Sequence, residues 1–145
     1  MKISTKGRYS LRMLLDLAEH KDDGFIALKD IAERQGISKK YLEQLVPLLN
    51  QPGILRTNRG YKGGYMLAKS PEQYTVGQIL RITEGNLCTV SCLEDDPNQC
   101  ERFSHCKTLL VWIGLQKVID EYLDGISLQM LLDEKDNAGA GEYII

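Results

Sequence analysis

"LKDIAERQGISKKYLEQLVPLLNQPGIL", residues 28–55, carries two apolar stripes at helical spacing with a tight turn between them. Leu28, Ile31 and Ala32 form the inward stripe of a short helix, which Gln35-Gly36-Ile37 closes. Ser38 is a good N-cap for a second helix over 38–50, whose Leu42, Leu45, Val46 and Leu49 face inward. Pro47 falls inside that second pattern and is expected to disturb its last turn or cut it short. Pro52-Gly53 then ends the element. Two short helices joined this way are the frame of a helix-turn-helix.

Downstream, "ILRTNRGYKGGYMLA" (54–68) reads as two short strands, near Leu55–Asn58 and Tyr65–Ala68. The loop between them holds three glycines and the cations Arg59 and Lys62, which makes a hairpin with a basic tip. Upstream, Tyr9, Leu11, Leu14, Leu15, Leu17 and Ala18 recur at helical spacing from Thr5 to His20, and Asp22-Asp23-Gly24 ends that helix. Thr75, with Gln78 three positions on, is a capping-box candidate for a helix to Glu84. From Ser104 to Leu123 the pattern is helical and apolar on more than one face, so the helix needs more than one packing partner. A second copy of the chain is the natural supplier, with Trp112, Ile113 and Ile119 as candidate interface residues. Ser127 caps a last short helix through Leu132. The fold class is mainly α: a winged helix-turn-helix with a two-stranded hairpin wing, plus a long C-terminal dimerisation helix. The expected units are a DNA-binding domain at 1–84, a cysteine loop at 85–106, a dimerisation helix with its capping helix at 104–134, and a loose tail at 135–145.

Charge divides along the chain. Residues 1–75 hold 13 Lys or Arg against 8 Asp or Glu, a balance of +5, and residues 76–145 hold 5 against 12, a balance of −7. One half suits a polyanion and the other does not. The net charge of −2 argues against indiscriminate nucleic-acid binding. Without an N-terminal apolar stretch long enough for a signal peptide or a membrane span, the default location is the cytosol. A phosphate-cradling glycine loop, an H-E-x-x-H motif and a credible acid–base pair are all missing, which argues against an enzyme.

The wet side of helix 38–50 carries Ser38, Lys39, Lys40, Tyr41, Glu43 and Gln44 near its N-terminus, where a recognition helix meets base edges in the major groove. Gln pairs with adenine, Glu accepts from cytosine, and Lys and Tyr suit bases or phosphates. Arg59 before Gly60 suits a narrow minor groove, and Lys62 a phosphate. Thr5, Lys6, Arg8 and Tyr9 open the first helix and add candidate phosphate contacts. The expected partner is an operator in double-stranded DNA, bound by a homodimer.

"STKGRY" (4–9), "GISKKYLEQL" (36–45), "RGYKGGYMLA" (59–68) and "TVGQIL" (75–80) resemble the hallmarks of the IscR/NsrR/CymR family of bacterial winged-helix regulators, and the likeness runs over residues 1–134. The resemblance implies a dimeric repressor or activator, with a dimerisation helix at 104–123, a recognition helix at 38–50 and Arg59 in the wing.

The four cysteines, Cys88, Cys92, Cys100 and Cys106, all lie within nineteen positions. In a reducing cytosol such a group points to metal or redox chemistry before permanent disulfides. Soft thiolates select iron–sulfur clusters, zinc or copper(I), and the spacing matches neither paired CxxC zinc sites nor ferredoxin runs. One branch of the family resembled is the cysteine-metabolism regulator, which lacks a cluster. Another carries three cysteines before the dimer helix and binds an iron–sulfur cluster. Cys92, Cys100 and Cys106 match that second branch, at C-x7-C and C-x5-C where the family's usual first interval is C-x5-C. The resemblance implies a [2Fe–2S] cluster, with [4Fe–4S] as the alternative, and control of cluster-biogenesis genes. In the biogenesis regulator a His three residues past the last cysteine completes the ligand set, and here that position is Leu109. In the nitric-oxide-sensing members an N-terminal acid does so, and here that position is Arg8. Cys88 is the first candidate for the fourth ligand and Glu43 the next. The rival readings are a repressor that senses thiol or cysteine status without a cluster, and a metal- or protein-binding adaptor that does not bind DNA.

Overall fold

Ser4 accepts a hydrogen bond from the Gly7 amide at 3.4 Å and so starts α1 (Thr5–Glu19). Its stripe of Met13, Leu14, Leu17 and Ala18 is the centre of the main core. The computed structural model describes residues 1–138. After α1, a 3-10 turn at Lys21–Asp23 leads to α2 (Leu28–Gln35), which buries Leu28 and Ile31. Gly36 ends α2 in the left-handed conformation at φ 63°, and its amide bonds back to the Ala32 carbonyl. Any residue with a Cβ would meet a cost of about 1 kcal/mol there.

Ser38 Oγ accepts from the Tyr41 amide at 3.1 Å and opens α3 (Lys39–Asn50). Leu42, Leu45 and Leu49 lie on its buried side, each no more than 1% exposed. The disturbance expected at Pro47 does not occur, because the helix runs on and the Gln51 amide bonds to the Pro47 carbonyl at 3.0 Å. Pro47 sits on the exposed face, so water can satisfy the carbonyl that its missing N–H leaves free.

The wing is an antiparallel pair, β1 (Leu55–Asn58) and β2 (Gly64–Leu67), in register Leu55↔Leu67 to Asn58↔Gly64. The second strand thus lies one residue earlier than the sequence suggested. Ile26 and Tyr65 exchange two backbone hydrogen bonds of 2.8 Å, which tie the wing to the segment before α2.

A 3-10 turn at Pro71–Gln73 precedes α4 (Val76–Glu84), where Thr75 Oγ1 accepts from the Gln78 amide at 3.1 Å. Past the cysteine loop come α5 (Leu109–Asp124) and α6 (Leu128–Ala138). The helix expected from Ser104 begins five residues later. Residues 100–109 instead make successive tight-turn hydrogen bonds, such as Phe103 to Cys100 and His105 to Arg102. The last helix also continues past Leu132 to Ala138, across residues expected to be loose. Ser127 caps it as expected, and Glu and Lys are good helix formers once a helix is nucleated. Of the expected loose tail 135–145, residues 139–145 lie outside the described residues. Among the described residues, no helix is long and apolar enough to cross a membrane.

A carboxylate stands inside the main core. Asp16, 1% exposed on α1, receives two hydrogen bonds from the Arg34 guanidinium at 2.6 and 3.0 Å and one from Gln35 Nε2 at 3.0 Å. Burial alone would raise the Asp16 carboxyl, but the hydrogen bonds from Arg34 and Gln35 and the Arg34 charge outweigh it and hold the pKa below the ordinary value. This pair locks α2 onto α1 and so sets the platform from which α3 projects.

Candidate nucleic-acid interface and cysteine loop

The starts of α1 and α3 meet at the surface, and the wing lies against the far end of α3. The Tyr9 and Tyr41 rings meet edge-to-face at 5.5 Å, joining the first turn of α3 to α1, and the Arg12 guanidinium lies over the Tyr9 ring at 5.2 Å. Arg12 also donates to the carbonyl of Gln35, at the end of α2. At the far end of α3, a cavity of about 400 Å³ opens between Val46, Asn50 and the wing residues Thr57, Asn58, Arg59 and Tyr65. Lys6, Arg8, Ser38, Lys39, Lys40, Gln44, Arg59, Gly60 and Lys62 are exposed around this surface, while Thr5 and Tyr41 are half-buried. Tyr61, which the sequence reading passed over, is 93% exposed at the wing tip with Lys62 Nζ 5.9 Å from its ring centroid. Glu43 is exposed too, and its only ion pair is with Lys39 at 3.8 Å among the described residues.

The cysteine loop leaves α4 at Gly85 and is made of turns and one 3-10 turn at Ser91–Leu93. All four thiols are free and half-buried. Cys88 Sγ–H donates to the Leu93 carbonyl at 3.4 Å, and burial, then the carboxylates of Glu94 and Asp120, push its thiol pKa up. Cys106 differs. The Thr108 hydroxyl at 3.3 Å, then the Thr108 and Leu109 amides and the Arg102 charge, hold its thiol below the ordinary value. Asn98 bridges the backbones of two cysteines, donating to the Cys92 carbonyl and accepting from the Cys100 amide at 2.8 Å.

An iron–sulfur cluster needs four ligand atoms gathered around it. Among the described residues, no three Cys, His, Asp or Glu side chains come together as a group that could hold a metal. The expected convergence of Cys92, Cys100 and Cys106 is therefore absent from this arrangement. The two candidate fourth ligands are engaged elsewhere, Cys88 with Leu93 and Glu43 with Lys39. As arranged, the residues do not fit the cluster. The turns that replace the start of the expected helix carry Cys106, whose thiol meets the Thr108 hydroxyl.

On α5 no residue is buried. Leu110, Val111, Val118 and Tyr122 are 80, 59, 63 and 68% exposed, and Ile113 is 42% exposed. Trp112 and Ile119, named from sequence, are half-covered. The most exposed apolar residues are thus neighbours of the expected ones, displaced around the helix by about 100° per residue.

The sequence profile described as "Rrf2: Iron-dependent Transcriptional regulator" matches residues 3–134. The HTH-type transcriptional regulator IscR of Aliivibrio salmonicida is 37% identical over 136 residues, covering 94% of this chain and 80% of that protein. The structure of T. potens IscR is similar at 38% identity and TM-score 0.77, covering 99% of this chain and 94% of that one. The structure of CymR (YrzC), the global cysteine regulator of B. subtilis, is similar at 37% identity and the same TM-score of 0.77, covering 92% and 98%. The two branches are matched equally well, so the nearer likeness to the cluster-binding branch suggested by three cysteines is not separated from likeness to the other.

Proposed function

The chain belongs to the Rrf2 family of winged-helix transcriptional regulators, and from that premise we propose that it is a homodimeric, operator-specific repressor in the cytosol that reads thiol or cysteine status through its 88–106 loop. In this reading residues 1–84 are the DNA-binding head, and the segment from 109 onward is the dimerisation arm. The family is one of regulators, not enzymes. α3 enters the major groove with Ser38, Lys39, Lys40, Tyr41, Glu43 and Gln44 facing the bases. Arg59 and Gly60 approach the minor groove, and Thr5, Lys6, Arg8 and Lys62 meet phosphates. Two heads, joined through the exposed apolar face of α5, read two half-sites at a fixed separation.

The observation that carries the sensing assignment is the contrast between the thiols: four separate free cysteines, of which Cys106 is held toward the thiolate and Cys88 is not. The thiolate is the nucleophile in exchange. Cys106 would attack one sulfur of a low-molecular-weight disulfide. A protein–small-molecule S–S bond forms as the original S–S bond breaks, and the displaced thiolate leaves with the electron pair and takes a proton from solvent. One specific feature favours a second reading, an iron–sulfur sensor: Asn98 already holds the backbones of Cys92 and Cys100 to a single side chain. Regathering of the loop with Cys106 would complete the trio named from sequence, and the family description "Iron-dependent" agrees with it.

One experiment separates the readings. Protein purified without oxygen is analysed for iron and acid-labile sulfide, and its operator affinity is measured reduced and after oxidised glutathione. Colourless protein that loses operator affinity with oxidised glutathione, an effect removed by Cys106→Ser, supports the thiol sensor. Stoichiometric iron and sulfide, lost in Cys92→Ala, Cys100→Ala and Cys106→Ala, would replace it with the cluster. Failure to enrich any motif from random duplexes in either state would remove the DNA-binding assignment itself.

A further inference from the structure

Gln116, on α5, bonds to both peptide groups that flank Cys88. Its Oε1 accepts from the Thr89 amide at 2.8 Å, and its Nε2 donates to the Leu87 carbonyl at 3.1 Å. The same Nε2 donates to Asp120 Oδ1 at 3.1 Å. Asp120 in turn accepts from Arg81 of α4 at 3.0 Å, and Arg81 also forks onto Asp124 at 2.6 and 3.1 Å. Gly77 admits Asp124 to this fork, because a Cβ there would lie 2.1 Å from its carboxylate oxygen. Three residues after Arg81, at the end of the same helix, Glu84 Oε1 accepts from the Ser4 amide at 3.0 Å and the Ser4 hydroxyl at 2.8 Å. Ser4 is the N-cap of α1, next to Thr5, Lys6 and Arg8. Bonded side chains and one rigid helix therefore connect the peptide around Cys88 to the basic start of α1.

We propose that Gln116 is the positioning residue that transmits the state of the cysteine loop to the DNA-facing end of α1, through Asp120, Arg81 and Glu84. The inference rests on the sensing role proposed above. Cys88 donates its thiol proton to the Leu93 carbonyl. Any state that draws the loop away from this arrangement strips the Leu87 and Thr89 partners from Gln116. Thr89 Oγ1 is already buried without a partner among the described residues, which marks this joint as one whose polar groups are not fully satisfied in the present arrangement. A discrete bonded element that both sites bias is the physical requirement for coupling.

The test compares wild type with Gln116→Ala, Gln116→Met and Glu84→Gln, all retained as dimers by light scattering. Amide hydrogen exchange in the reduced protein is read first. Loss of the clamp should speed exchange at Thr89 by about 2- to 10-fold, the worth of one hydrogen bond, and should also speed it at Ser4. Acceleration at Thr89 with Ser4 unchanged overturns the proposal, because the effect then stops at the loop. Operator affinity is read second, reduced and after oxidised glutathione. Wild type should show a ratio of about 5- to 150-fold between the two states. The Gln116 variants should lower that ratio by about 2- to 30-fold, because without the clamp their reduced-state affinity moves toward that of the oxidised wild type. Glu84→Gln should lower the ratio without changing exchange at Thr89. A wild-type ratio that persists in every variant also overturns the relay. A wild type with no ratio at all overturns the sensing role instead, and the exchange result alone then decides the relay.

Discussion

In the head, α1 keeps Met13, Leu14 and Leu17 at no more than 1% exposure, while in the arm α5 leaves Leu110, Val118 and Tyr122 at 80, 63 and 68%. The residue types are alike, and both helices are apolar at helical spacing. The head has neighbours on every side of its stripe: α1 meets α2, α3, α4, α6 and β2. The helix α5 packs mainly on α4, with Gln116 reaching the cysteine loop, and Trp112 and Ile119 are only half-covered. An apolar pattern therefore states that burial is required. It does not state whether the same chain provides it. An open apolar face this extensive on a family member of this fold fits a second copy of the chain better than solvent.

The largest effect expected is in the head. Leu42→Ala removes a fully buried side chain from the inner side of α3 and should cost about 2–5 kcal/mol in urea denaturation. It should leave the oligomeric state of the folded fraction unchanged. Val118→Asp should do the reverse, putting a charge into the proposed dry interface. It should raise the dimer dissociation constant at least about 100-fold, or about 2.7 kcal/mol, by analytical ultracentrifugation. A monomeric wild type at micromolar concentration would break the comparison outright, since α5 would then be apolar and uncovered for no reason.

Arg34→Ala comes next, at about 2 kcal/mol. That is below the usual cost of leaving a buried charge unpaired, because the Arg34 side chain is 37% exposed and water can partly replace it. The sign of its pH dependence follows from Asp16, whose folded pKa is depressed. Its stabilisation is present above the unfolded carboxyl value of about 3.9 and is lost as pH falls through the folded value. Denaturation at neutral pH and near pH 3 should therefore show a gap between wild type and Arg34→Ala that narrows in acid. The smallest effect belongs to the wing tip. Lys62→Ala should weaken operators and random duplexes alike and lower the salt slope by about one. Arg59→Ala, in contrast, should weaken the operator most, as measured by a binding titration against both duplexes.

Much of the head was legible because its signals are local. Ser38 three residues before the Tyr41 amide, Gly36 at a left-handed turn and Thr75 before Gln78 act over one helical turn each, and all three do what their types suggest. Pro47 misled for a related reason: its local cost is real, but its exposed position on α3 lets water absorb it. Asp16 gave a signal that could have been read, a lone acid among Met13, Leu14 and Leu17, although nothing nearby names Arg34 as its partner.

By itself the sequence determined where the helices of the head start, that two strands make a basic wing, and that the positive half and the cysteines lie apart along the chain. Helical periodicity, capping and turn chemistry are settled within a few residues of each position, so a linear reading reaches them. Only the tertiary structure decided that Gln116 clamps the peptides on both sides of Cys88, that Glu84 reaches Ser4, and that Val118 and Tyr122 stay open while Trp112 is half-covered. Those contacts join residues far apart in the chain, or depend on which side of a helix meets a neighbour. They are set by how the helices pack, and no short-range preference encodes that.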